Sequence, residues 1–212
     1  MPNFVDIDQL SLNELNIILN SAKKLKGDLK LGKNTPILKG KQLAMIFEKP
    51  STRTRTSFEV GINQLGGNAV ILSSEGSQIS RGESFADTAG VLSRYVDLMM
   101  IRCREHNSLL ELLKTSSIPV INGLTNTSHP CQIMADIMTF IEHRGSIEGK
   151  HIAWVGDGNN VVNSWIHAAA KFKFNLHIAT PEELKPTDEI LQWAKQNKAN
   201  VNWSTDPKDA VN

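Results

Sequence analysis

The stretch QLAMIFEKPSTRTRTSFEVGINQLGGNAVIL, residues 42–72, decides the fold. It opens on a short apolar run, 42–47, and Pro50 enforces a turn. Phe58, Ile62 and Leu65 then recur at helical spacing before a second apolar run at 68–72. Strand, amphipathic helix and strand in that order make the βαβ unit of a parallel sheet. The same alternation continues outward. Further strands are predicted at 96–101, 118–121, 151–155 and 175–179. Helices are predicted near 53–65, 84–94, 106–115, 131–143, 160–172 and 186–197. Ahead of the first strand a helix begins at Ser11. Ser11 and Glu14 form an S-x-x-E capping box, with Leu12, Leu15, Ile18, Leu19 and Ala22 on one face. KGDLKLGKN then reads as a charged, Gly-punctuated loop.

Strands alternating with helices predict an α/β protein with open parallel sheets covered by helices on both faces. The polar, Gly-bracketed stretch RGSIEGK, 144–150, marks a boundary between a first domain at 1–148 and a second at 149–212. The second holds only two or three strands on this reading, so two parallel-sheet domains are expected, the second incomplete.

Composition narrows the function classes. Hydrophobic residues are 40% and charged residues 21% of 212, as in ordinary globular proteins. A net charge of +1 gives no general attraction to nucleic acid or an anionic membrane, so any anion site must come from locally placed arginines. Cys103 and Cys131 are too few for a disulfide framework and fit a reducing compartment. No run approaches the ~20 apolar residues of a membrane span. The start, MPNFVDIDQLS, is acidic and lacks signal or transit character, which predicts a cytoplasmic protein. No Cys/His cluster has ligand spacing, so no metal is expected.

Two segments carry chemistry. Ser51–Thr54 lie where a strand hands over to a helix. Hydroxyls, free backbone N–H groups and the positive end of the helix dipole converge there. Arg53 adds a planar fork suited to phosphate oxygens. The second segment is HPCQ, 129–132, between strand and helix at the same end of the sheet. A lone His ahead of a helix is ordinarily a cap or surface residue. Beside Ser51–Thr54 it reads as a site residue, while Cys131 reads as a small core residue. Arg102, closing its strand at that edge, brings a second guanidinium.

STRTR followed by HPCQ resembles the signature pair of the aspartate/ornithine carbamoyltransferase family, in order, in spacing and in the intervening SQISRGESFADTAGVLSRYVD. HPCQ, VINGLTN and WVGDGNN resemble its ornithine branch. The resemblance covers essentially the whole chain. It implies transfer of the carbamoyl group of carbamoyl phosphate to the δ-amine of L-ornithine, giving citrulline and phosphate in arginine metabolism, with no cofactor. It also implies roles. Ser51, Thr52, Arg53 and Thr54 hold the phosphate, and Thr54 lies near the carbonyl oxygen. Arg102 bridges phosphate and carbonyl. His129 donates toward the carbonyl oxygen, Pro130 and Cys131 line the pocket, and Gln132 orients the carbamoyl NH2. Gln78 reaches the phosphate of a neighbouring subunit in a homotrimer. Arg55 and Glu83 resemble structural or interface charges. Asn160, or less readily Asn159, holds the amino-acid end of ornithine.

The ornithine branch continues to a Ser-Met-Gly loop, a His-Cys-Leu-Pro motif and a returning helix, which this sequence does not contain. A chain ending at Asn212 is therefore expected to bind carbamoyl phosphate weakly and to fail at transfer. Other acceptors (aspartate, putrescine, an N-acylated ornithine) and a non-catalytic carbamoyl-phosphate-binding fragment remain alternatives. So does a dinucleotide site on Gly156-x-Gly158-x-x-Val161, where Val161 stands in place of the third glycine.

Overall fold

The computed structural model describes residues 3–33, 35–73 and 77–211, apart from the side chain of Ser80. Two compact units emerge. One takes the segment ending at Val5 together with Ser21–Asn126; the other takes Asp6–Asn20 and the chain from Thr127 on.

The first helix, α1 (Leu12–Lys30), starts at the expected capping box. The Ser11 N–H donates to Glu14 Oε2 at 2.8 Å, and the Glu14 N–H donates to Ser11 Oγ at 3.3 Å. Its apolar stripe is narrower than expected. Leu15 and Leu19 are buried, whereas Ile18 is 37% exposed at the margin of that i, i+4 row.

In the first unit β1 (Gln42–Phe47), β2 (Asn68–Ser73), β3 (Leu98–Arg102) and β4 (Val120–Leu124) form a parallel sheet in the order β2-β1-β3-β4. They are linked by α2 (Thr52–Gln64), α3 (Phe85–Leu92) and α4 (His106–Thr115). Side chains alternate across the sheet. Leu43, Met45, Phe47 and Met100 pack with Phe58 and Ile62 of α2 on one face. Ala44, Ile46, Met99 and Ile101 pack with Ala89, Leu109 and Leu112 of α3 and α4 on the other. A sheet covered on both faces needs strands that are apolar throughout, which is why β1 and β3 read as continuous hydrophobic runs. The outer edge of β4 carries the N-terminal segment. Phe4 bridges Ile121, its N–H donating to Val120 O at 2.9 Å and its carbonyl accepting from Asn122 N at 2.8 Å.

The second unit contains α5 (Pro130–Arg144), β5 (His151–Val155), α6 (Asn160–Phe172), β6 (Asn175–Ala179), α7 (Asp188–Gln196), β7 (Val201–Ser204) and α8 (Pro207–Val211). Its sheet is parallel, in the order β5-β6-β7. β7 and α8 lie outside the predicted spans, although the sequence allows for a third strand; VNWS is short, half polar and only partly buried, so neither periodicity nor composition marks it. The segment after Val5 docks on α6. Ile7 is fully buried, and Asp6 accepts from the Ile7 N–H at 2.7 Å and faces His167 Nδ1 at 3.2 Å. The His167 ring stands edge-on to Trp193, with centroids 4.4 Å apart. Asp8 joins this group, and burial raises its carboxyl above the usual range. Such a cluster, assembled from distant positions, cannot be seen in ligand spacing along the chain. The fold class is the expected α/β with parallel sheets. Among the described residues no helix is long and apolar enough to cross a membrane.

Candidate active site

The order β2-β1-β3-β4 places a topological switch point between β1 and β3. The chain leaves β1 for one side of the sheet and β3 for the other, and ligands gather outside the carboxyl ends of strands at such a point. Phe47 and Arg102 end their strands in register, so the start of α2 and the Arg102 guanidinium emerge together. Ser51 is the N-cap of α2 in extended conformation, yet its hydroxyl makes no capping bond. Thr52 and Arg53, in the first turn, are exposed. Thr54 turns inward, and Arg102 Nη1 donates to its Oγ1 at 2.8 Å. Burial lowers the Arg102 guanidinium from its usual value, and among the described residues no carboxylate pairs with it to offset that cost. A half-buried cation beside a helix N-terminus is a site for an anion. A cavity of about 430 Å³ opens alongside, lined in part by Lys49, Ser51, Thr52, Arg55 and Ser73.

Arg55 lies 3.7 Å from Glu59 one turn along α2, and Glu83 accepts from Thr88 Oγ1 at 3.1 Å. Gln78 is exposed on a short 3-10 turn, Gln78–Arg81, and is not part of the cavity lining.

In the second unit His129 is the N-cap of α5 and Pro130 its buried first residue, a position suited to proline because the N–H it lacks is outside the helical ladder. The Cys131 thiol is pushed up to about 12 by burial, which keeps it protonated and fits the reading of a packing residue. Gln132 is exposed, and its Nε2 donates to Asp136 Oδ1 at 2.9 Å one turn along. That bond orients the amide so that its carbonyl oxygen is the end turned away from Asp136.

At the start of α6 the two asparagines separate in role. Asn159 is the N-cap, its Oδ1 accepting from Val161 N at 2.9 Å and Val162 N at 3.3 Å while its Nδ2 donates to Asp157. Asn160 follows as the first helical residue, half-buried. The Gly158 N–H donates to Leu184 O at 2.6 Å, and a Cβ there would run into the backbone at Lys185 and Pro186. The chain 184–186 therefore covers the glycine face a dinucleotide pyrophosphate would need, which removes the structural basis for that alternative.

Sequence reasoning passed over Asn163 and Ser164. Asn163 Nδ2 donates to Thr127 O at 3.0 Å, and Ser164 Oγ accepts the His129 N–H at 2.8 Å. The available signal was a pair of polar residues inside an apolar helix pattern, a position where such side chains need a partner.

Comparison with known proteins agrees with this geometry. The family model for the aspartate/ornithine carbamoyltransferase carbamoyl-P binding domain matches residues 2–142, and that for the Asp/Orn binding domain matches residues 148–212. An ornithine carbamoyltransferase of Rhodopseudomonas palustris BisA53 is 54% identical over 99% of this chain and 69% of that relative. One from Bradyrhizobium diazoefficiens is 52% identical over 99% of this chain and 68% of its own length. Among solved structures, the ornithine carbamoyltransferase of Burkholderia thailandensis superposes with a TM-score of 0.94 at 42% identity, covering 99% of this chain and 72% of that one. The Pyrococcus furiosus enzyme gives 0.94 at 43% identity, covering 99% and 68%.

Proposed function

Because this chain belongs to the aspartate/ornithine carbamoyltransferase family, we propose that it works on carbamoyl phosphate and passes its carbamoyl group to the δ-amine of L-ornithine, giving L-citrulline and phosphate in arginine metabolism in the cytoplasm. The observation that carries the reading is Arg102, a half-buried guanidinium bonded to Thr54 at the N-terminus of α2 with no carboxylate partner among the described residues. The proposed division of labour is a carbamoyl-phosphate domain at 1–148 and a partial ornithine domain at 149–212.

In this mechanism the phosphate of the substrate sits on Ser51, Thr52, Arg53 and Thr54, where the first N–H groups of α2 and its dipole oppose the negative charge. Arg102 spans phosphate and carbamoyl carbonyl. His129 donates to the carbonyl oxygen, beside Pro130 and Cys131, and Gln132 accepts from the carbamoyl NH2. Asn160 holds the amino-acid end of ornithine. The neutral δ-amine attacks the carbonyl carbon; charge grows on the carbonyl oxygen and then leaves with phosphate as the tetrahedral intermediate collapses. Donors already aimed at those two places lower the barrier without reorganising. Holding both substrates in line supplies much of the rest.

The reading is tested by titration calorimetry of the 212-residue chain with carbamoyl phosphate and, separately, inorganic phosphate. Both are expected to bind, and a thermal melt at 100 times the dissociation constant is expected to show about 2.7 kcal/mol of added stability. Absence of binding to either anion refutes it. Assaying L-ornithine, aspartate and putrescine as acceptors for the full-length enzyme decides the acceptor, with citrulline the expected product.

A homotrimer with shared sites belongs to the same proposal. Gln78 is exposed on its short 3-10 turn, as a residue serving a neighbouring subunit must be. Mixing a Gln78 variant with an Arg53 variant of the full-length enzyme, each inactive alone, is expected to restore part of the activity. Mixed trimers without activity would mean that each site is built from one chain.

A further inference from the structure

Ser164 lies on α6 with no exposed surface, in a run that includes Val162 and Ile166, both also fully buried. A hydroxyl in such surroundings costs free energy unless it is hydrogen-bonded. Its oxygen accepts the backbone N–H of His129 at 2.8 Å. The preceding residue, Asn163, donates through Nδ2 to the carbonyl of Thr127 at 3.0 Å. Two consecutive residues of one helix thus hold both ends of the loop Thr127–His129, and Ser128 between them is fully buried. His129 needs such an anchor. As N-cap of α5 its N–H has no place in the helical ladder. Its backbone angles, φ −138° and ψ 64°, belong to neither helix nor strand, and its side chain makes no capping bond.

We infer that Asn163 and Ser164 are positioning residues for His129: they fix its backbone, and with it the direction in which the imidazole leaves the α5 N-terminus. The inference rests on the role proposed above for His129. It adds a coupling that role does not contain. Asn160 and Ser164 are four residues apart and share a face of α6. The residue proposed to hold the acceptor and the residue that orients the imidazole therefore sit on one rigid element. His129 is placed with reference to the acceptor helix rather than by α5 alone. A shift of α6 on acceptor binding would carry the imidazole with it.

The test is amide hydrogen exchange by NMR on the 212-residue chain, reading His129 against Ala169, a buried reference on α6. Taking the ratio cancels any general loss of stability. Ser164→Ala is expected to raise it roughly tenfold to hundredfold, the range for a buried N–H left without its partner. Asn163→Ala, a gentler change at a half-buried position, is expected to raise it about threefold. An unchanged ratio in both variants overturns the inference. A second readout follows the imidazole Cε1–H resonance of His129 on adding carbamoyl phosphate. In the parent chain it is expected to shift; in Ser164→Ala the shift is expected to vanish while carbamoyl-phosphate affinity stays within about threefold. A shift of full size in Ser164→Ala overturns positioning. A raised exchange ratio with no ligand-induced shift in the parent chain upholds the anchor and removes His129 from the proposed reaction, so the two readings fail separately.

Discussion

Replacing His129 with alanine is expected to slow carbamoyl transfer by the full-length enzyme about 10²–10³-fold, the usual loss when one donor to a developing oxyanion is removed. His129 caps α5 through its backbone, the side chain makes no capping bond, and the His129 N–H is held by Ser164. Removing the imidazole keeps the backbone cap and the bond from the His129 N–H to Ser164. Carbamoyl-phosphate affinity should change little, because the phosphate lies on α2 and Arg53 in the proposed site. Steady-state kinetics separates the outcomes: the expected loss falls in kcat. A loss confined to KM would show that His129 holds the ground state and does not meet the transition-state charge.

Arg53→Lys is expected to weaken carbamoyl phosphate by about 1.5–3 kcal/mol, the range for hydrogen bonds to a charged group. Arg53 is the second residue of α2 and exposed. Lysine has nearly the same helix propensity and keeps the positive charge, so neither the helix nor the net charge changes. What is lost is the planar fork that can engage two phosphate oxygens at once. Calorimetry showing equal affinity for parent and variant would remove Arg53 from the site.

Much of the scaffold was legible in the sequence because it obeys two periodicities. β1, β5, β6, α4 and α6 occupy the expected spans. Their bounds are set where an apolar period begins and ends, at residues such as Phe47, Val155 and Phe172. The segment proposed to hold phosphate stood out for a different reason. Ser, Thr and Arg crowded between a strand and an amphipathic helix have few structural uses and one obvious chemical use. What could not be read depends on which distant groups the fold brings together. The Arg102–Thr54 bond follows from the parallel register of β1 and β3. Nothing in the local sequence of Asn163 and Ser164 tells that their partners are Thr127 and His129. Asn159 and Asn160 look alike in GDGNN, and only the backbone shows that the first is engaged in capping. Ile18 illustrates the reverse error: it fits the helical stripe of α1, but the stripe that is buried is narrow.

The bridge from Phe4 to Ile121 has a consequence for how the chain is made. Asn122 Nδ2 donates to Val5 O, and Val120 N donates to Asn3 Oδ1, each pair separated by 117 residues. During synthesis residues 3–5 leave the ribosome well before their hydrogen-bonding partners, which lie on the last strand of the sheet. Closing a loop of that length adds an entropic cost that grows only slowly with length, so the delay is one of order more than of energy. Until β4 is extruded, Phe4 and Val5 have no cover. Once they arrive they seal an edge that would otherwise offer its free N–H and C=O groups to another chain. Residues 3–5 thus act as the latch that ends the assembly of the sheet.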